Sequence, residues 1–227
     1  MTRRVTLSFD NGPTPGITEG VLDCLDRHAI KATFFVIGQK LRVPGAVDLM
    51  RRAHAAGHWI GNHTLTHSVP FGEQPTEAFA RGEIDETEAL IGDCACPEKL
   101  FRPYGREGRI GSHLFSRASV SHLLDHRYRT VLWNAVPGDW RDPVGWFDTC
   151  LAQVTARDWS LVVLHDITNG CLAHLPALLD RLVDAGLRFE QDFPPDMVLT
   201  ESGRIARLGD ELVTGGIAGL SSPERSA

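Results

Sequence analysis

Short runs of β-branched and aromatic residues recur along this chain, separated by stretches whose apolar residues return every three to four positions. That alternation constrains the fold more than any other feature. Strand-like runs fall at residues 5–10, 32–37, 59–62, 100–103, 129–134, 161–165 and, more weakly, 188–191. Between them, Ile17, Val21, Leu22 and Leu25 share one helical face, as do Val47, Met50, Ala53 and His54 ahead of Gly57, a residue suited to stop a helix. Further helices are predicted over 76–93, 112–125 and 172–185, the last stopped by Gly186, and Pro143 suits the first turn of another. Strands regularly separated by amphipathic helices form parallel βα units rather than a sandwich or a bundle. About seven such units fit a chain of 227 residues, since α/β barrels commonly fill roughly 200–250 residues as one domain.

A net charge of −6 argues against nucleic acid as the main partner, and 42% hydrophobic with 23% charged residues is ordinary for a soluble globular protein. No stretch reaches the ~18 apolar residues that a membrane helix needs. Met1-Thr2-Arg3-Arg4-Val5 enters a strand at once, with no apolar leader, so a soluble cytoplasmic protein is expected. Cys24, Cys94, Cys96, Cys150 and Cys171 make an odd count, which predicts reduced thiols rather than a disulfide framework. Cys94-Ala95-Cys96 lacks a second half with zinc-site spacing. After Gln191 the alternation fades into Asp192-Phe193-Pro194-Pro195. The expectation is therefore one domain over 1–195 and a partly irregular extension over 196–227 with a ragged, small and polar end.

Two histidines, His63 and His67, are spaced so that on a helix both imidazoles could point at one ion. Imidazole favours zinc, cobalt or nickel over calcium or magnesium, which makes metal-assisted hydrolysis the first hypothesis. His122 and His126 repeat the spacing in a helix-like stretch leading into Arg127 and Arg129, where a surface pair is expected. Other residues able to do acid, base or metal work stand where predicted strands end: Asp10 and Asn11, Arg102, Asp139, and His165 with Asp166. Each has an ordinary explanation alone: Asp10 as a turn residue, Arg102 with Asp139 as an ion pair, His165 with Asp166 as a loop contact. Together they matter more, because the C-terminal ends of parallel strands face one rim, where active sites of such folds assemble.

Five segments in this order resemble the polysaccharide deacetylase family, also called the NodB-homology domain. They are Ser8-Phe9-Asp10-Asn11-Gly12-Pro13, His63-Thr64-Leu65-Thr66-His67, Arg102-Pro103-Tyr104-Gly105, Gly138-Asp139-Trp140 and Leu161-Val162-Val163-Leu164-His165. The resemblance covers residues 5–191. It implies an α/β fold, a distorted (β/α)7 barrel of the polysaccharide deacetylase type, and a hydrolase that removes acetyl from an N-acetylated sugar, oligosaccharide or small N-acyl compound. It further implies a divalent metal, zinc with cobalt or nickel as alternatives, held by His63, His67 and the residue at position 11. Asp10 matches the general base and Arg102 the residue that orients it. His165 matches the general acid that protonates the departing amine, with Asp139 orienting its imidazole and raising its pKa. The backbone N–H of Tyr104 matches an oxyanion donor, and Trp140, Leu161 and Leu164 would wall the pocket for the acetyl methyl, or simply pack in the core.

One position departs from the family's pattern. The first motif normally carries two aspartates, the second a metal ligand, and here that residue is Asn11. An amide oxygen can coordinate but lacks the carboxylate's charge, so metal affinity should fall by roughly an order of magnitude or more. Two alternatives follow: a metal-independent amidohydrolase on the same fold, and a non-catalytic carbohydrate-binding relative. Retention of Asp10, Arg102, Asp139 and His165 together favours the enzyme.

Overall fold

The structure is a computed structural model and describes residues 2–220; of the ragged tail expected from Thr214 to Ala227, residues 221–227 lie outside the described residues. In chain order the strands are β1 (Arg4–Asp10), β2 (Thr33–Val36), β3 (Trp59–Asn62), β4 (Leu100–Phe101), β5 (Phe115–Ser116), β6 (Arg129–Val131), β7 (Trp159–His165), β8 (Arg188–Glu190), β9 (Val198–Glu201), β10 (Arg204–Ile205) and β11 (Val213–Thr214). The helices are α1 (Thr18–Arg27), α2 (Ala46–Ala55), α3 (Glu77–Ile91), α4 (Arg117–Asp125), α5 (Trp146–Thr155) and α6 (Leu175–Asp184). The chain folds as two compact units.

The first unit comprises residues 1–36, 40–60 and 133–194. Its centre is β1, which pairs in parallel with β2, β7 and β8. Val5, Leu7 and Phe9 bury one face of β1 and Thr6 and Ser8 the other, and Leu161, Val162 and Leu164 bury both faces of β7, as a parallel sheet covered by helices requires. Phe9 stacks on Phe34 with ring centroids 5.1 Å apart, and Phe193 packs against Phe35 and Trp59. Leu175, Leu178, Leu179 and Leu182 give α6 one wholly buried stripe. The helix expected to open at Pro143 begins instead at Trp146. The Asp142 carboxylate accepts the Gly145 N–H at 2.9 Å and holds the intervening residues as a turn.

The second unit comprises residues 37–39, 61–132 and 195–227. In it β4 pairs in parallel with β6, β6 pairs antiparallel with β9, and β9 pairs with β10 as a hairpin. Phe101 sits between Phe71 and Tyr128 at ring distances of 6.0 and 6.1 Å. The helix expected over 112–125 starts only at Arg117, because Phe115–Ser116 pairs with β11 and Ser116 forms a capping box with Ser119. Residues 198–205 are regular where the sequence reads as irregular: Ser202 and Gly203 take positive φ and turn the chain back tightly.

Candidate active site

In the first unit, Asp10 and His165 are the last residues of β1 and β7 and are register partners. Adjacent parallel strands lie about 4.8 Å apart and paired residues project to the same face, so a carboxylate and an imidazole leave the sheet side by side. Asp139 is fully buried and binds His165 with both oxygens. Oδ1 accepts from the imidazole Nδ1 and Oδ2 from the His165 backbone N–H, each at 2.8 Å. This fixes the proton on Nδ1 and turns Nε2 outward. Burial disfavours a charged His165, but the hydrogen bond and charge of Asp139, with the charges of Asp10 and Asp166, outweigh it and raise the imidazole's pKa. The Trp140 ring stands edge-on to His165 at 4.6 Å.

The turn after β1 is shaped from beneath by Asp166. A Cβ on Gly12 would collide with the Asp166 carboxylate, so only glycine fits there. Asn11 itself adopts φ 70, a left-handed conformation that asparagine tolerates. Its Oδ1 is buried and has no hydrogen-bond partner among the described residues. Asp166 accepts the Thr18 hydroxyl at 2.6 Å. Complete burial pushes its pKa up to about 7 against the opposing effects of that hydrogen bond, Lys40 and His165.

The two leucines divide by the pleat. Successive strand residues alternate faces, so Leu161 and Val163 share the face of His165 while Leu164 projects to the other and packs in the core. Leu164 is therefore not a wall on the His165 side. Val163, which sequence reasoning passed over, stands two residues from His165 on its face; the period of two along β7 was the signal that could have found it.

In the second unit, His63 and His67 do not share a helical face. His63 follows the end of β3, and the segment to His67 is an irregular loop in which Thr64 and His67 have φ of 67 and 52. The expectation of a helical turn is corrected, although the rings still approach to 4.7 Å. His63 Nδ1 lies 2.9 Å from the Arg102 carbonyl, which can only accept, so Nδ1 carries the proton and Nε2 keeps a lone pair. That is the arrangement of a metal-ligating histidine whose outer nitrogen is anchored to backbone. Tyr104 lays its ring over His67 at 3.9 Å. Arg102 is fully buried, and its guanidinium donates to the Leu132 carbonyl at 3.1 Å. The other pair, on α4 and its C-cap, is the helical one: His122 is bound to Asp85 at 2.6 Å and its ring lies 4.1 Å from that of His126, a structural role.

Among the described residues, no three His, Cys, Asp or Glu side chains cluster as a metal site. At position 11 the sequence supplies an amide. The Asn11 amide oxygen, buried and without a hydrogen-bond partner among the described residues, and the imidazole nitrogen of His63 fit the chemistry of a divalent ion as donors.

A family model described as polysaccharide deacetylase matches residues 2–117. The chain is 38% identical to a chitooligosaccharide deacetylase of Rhizobium leguminosarum bv. trifolii over 172 residues, 74% of this chain and 73% of that protein. It is 31% identical to a peptidoglycan-N-acetylglucosamine deacetylase of Bacillus cereus over 192 residues, 82% of this chain and 84% of that one. Among solved structures, it resembles a family 4 acetyl xylan esterase of Clostridium thermocellum in complex with a cobalt ion. The TM-score is 0.67 and the identity 28%, covering 83% of this chain and 88% of the esterase. The α/β fold expected from the sequence is the fold these proteins share with it.

Proposed function

We propose that this chain, which belongs to the polysaccharide deacetylase family, hydrolyses the N-acetyl amide of an N-acetylated sugar or oligosaccharide. One observation carries the reading: a buried Asp139 holds His165 protonated on Nδ1, with Asp10 its register partner on the neighbouring strand. A base and an acid stand together, as amide hydrolysis requires. Asp10 takes a proton from the water that attacks the acetyl carbon. His165, charged, delivers its Nε2 proton to the amine nitrogen as the C–N bond breaks, leaving acetate and a free amine. His63, His67 and Asn11 would hold a divalent ion, zinc first and cobalt or nickel next. When bound, such an ion polarises the acyl oxygen and acidifies water. By their match to the family's motifs, Arg102 would orient Asp10, the Tyr104 N–H would donate to the developing oxyanion, and Trp140 would flank the acetyl methyl.

Acetate release from N-acetylated chitooligosaccharides, with and without added zinc, tests this. Turnover should require Asp10 and His165, and retention of full turnover in Asp10→Asn or His165→Ala would remove the proposed base or acid. The Asn11 amide favours one second reading, a metal-independent amidohydrolase. Activity that survives chelation and His63→Ala would establish it. Saturable sugar binding with no acetate released would leave a carbohydrate-binding protein.

A further inference from the structure

We infer that Glu83, on α3, is the positioning residue of the loop from His63 to His67 and that it sets the loop's affinity for a divalent metal. The inference rests on the reading of these two histidines as ligands. Glu83 is 5% exposed, and both its oxygens are committed to the loop. Oε2 accepts the backbone N–H of Leu65 at 3.0 Å and of Thr66 at 2.9 Å, and Oε1 accepts the Thr66 hydroxyl at 2.8 Å. Three donors on one buried carboxylate form a charge-assisted set, stronger than neutral hydrogen bonds. The neighbouring residue on α3 completes the hold: the Ile84 carbonyl accepts from Asn62 Nδ2, while Asn62 Oδ1 accepts the Thr64 N–H.

The loop needs such a hold because its backbone is unfavourable. Thr64 is β-branched and His67 carries a full side chain, yet both sit in the left-handed region, and such conformations persist only where surrounding contacts over-determine them. A helix would fix the separation of two histidines four residues apart through its own hydrogen bonds. Here nothing regular does so: Glu83 holds the Leu65 and Thr66 N–H groups, while the Thr64 and Leu65 carbonyls accept from the Gly38 and Gln39 N–H groups at 3.0 and 2.9 Å. The same strain keeps the Thr64 hydroxyl in place to accept the His67 N–H at 3.1 Å. Glu83 thus acts on the metal through the geometry of its ligands, as outer-shell partners of metal sites do.

The test is calorimetric zinc titration of the metal-free full-length protein beside Glu83→Gln and Thr66→Val, with amide hydrogen exchange and thermal unfolding measured on each. In Glu83→Gln the amide oxygen can keep the two backbone N–H groups only with its NH₂ turned to the Thr66 hydroxyl, and the charge that strengthens all three bonds is lost. Zinc affinity should fall about tenfold or more in the folded protein, with faster exchange at Leu65 and Thr66. Thr66→Val removes the hydroxyl's bonds to Glu83 and to Ser68, leaves both backbone bonds to Glu83, and should weaken zinc by a few-fold in the same direction. A purely structural Glu83 would lower the unfolding temperature and leave the zinc affinity of the folded molecule within about twofold of the parent, which overturns the inference. Should Glu83→Gln not fold, Thr66→Val decides by the same criterion. If the parent protein binds no zinc, the ligand reading fails and the role of Glu83 fails with it, an outcome visible before any variant is made.

Discussion

His165 owes its chemistry to one neighbour. Asp139 places the proton on Nδ1 and, with the other nearby carboxylates, keeps the imidazole charged above the usual range of a histidine despite burial. An acid that must be charged loses activity as pH rises through its pKa, so raising that pKa extends activity to higher pH. Asp139→Asn keeps the shape and removes the charge. Turnover of an N-acetylated chitooligosaccharide should fall about 100-fold or more, and the alkaline limb of its pH profile should move to lower pH. A limb that stays in place would show that Asp139 does not govern the acid. A second expectation concerns Asn11, whose buried oxygen lacks a partner. Asn11→Asp should tighten zinc by roughly tenfold, and equal or weaker binding by titration would exclude Asn11 as a ligand. Asp10, Asp139 and His165 were legible because each follows a strand signal in a recognisable motif. Glu83 was not, because a buried acid on a helix face reads like any solvated one until the fold brings the loop to it.

The elements show where periodicity misleads. His63 and His67 have helical spacing but lie in a loop beyond a strand, whereas His122 and His126, with the same spacing, are on a helix and serve it structurally. Spacing alone cannot separate the cases, since a strand end followed by a tight loop can also bring residues four apart together. The short strands β5, β9, β10 and β11 escaped because they lie outside the βα alternation: β5 sits inside a stretch with helical spacing, and the others follow Gln191, where the alternation fades. At the entry to β3, His58 is buried and its Nδ1 accepts the Ala32 N–H at 3.1 Å, which ties that segment to the start of β2. Burial first, and the charge of Lys31 second, lower its pKa to about 4. The folded state then holds His58 neutral where the unfolded chain would protonate it. The stability this gives is full above about pH 6.5 and is lost as pH falls towards 4, by up to about 3 kcal/mol. Urea unfolding at pH 7 and pH 4.5 should show this loss in the parent protein and about 2 kcal/mol less of it in His58→Asn, which accepts a hydrogen bond without titrating.

At the scale of the molecule, the parallel βα alternation was legible as far as Gln191, because its strands and helices differ in apolar period; the antiparallel pairing of β9 beyond it was not. All five cysteines are buried free thiols, as their odd count suggested, and burial pushes Cys150 up to about 12 and Cys171 well above its usual value. A thiol-specific reagent at neutral pH should therefore label none of them rapidly in the native protein and all five in urea; fast native labelling would show local opening. The central pairing of β1 with β7 has a consequence for synthesis. The Ser8 hydroxyl donates to the Val162 carbonyl across a sequence separation of 154 residues. β1 therefore leaves the ribosome well before the strand that covers this side of it. Such non-local closure is slow and leaves an apolar strand exposed meanwhile. Fragments ending before β7 should therefore bind chaperones or aggregate, and they would carry Asp10 without His165, so the proposed chemistry would arrive only once β7 has been made.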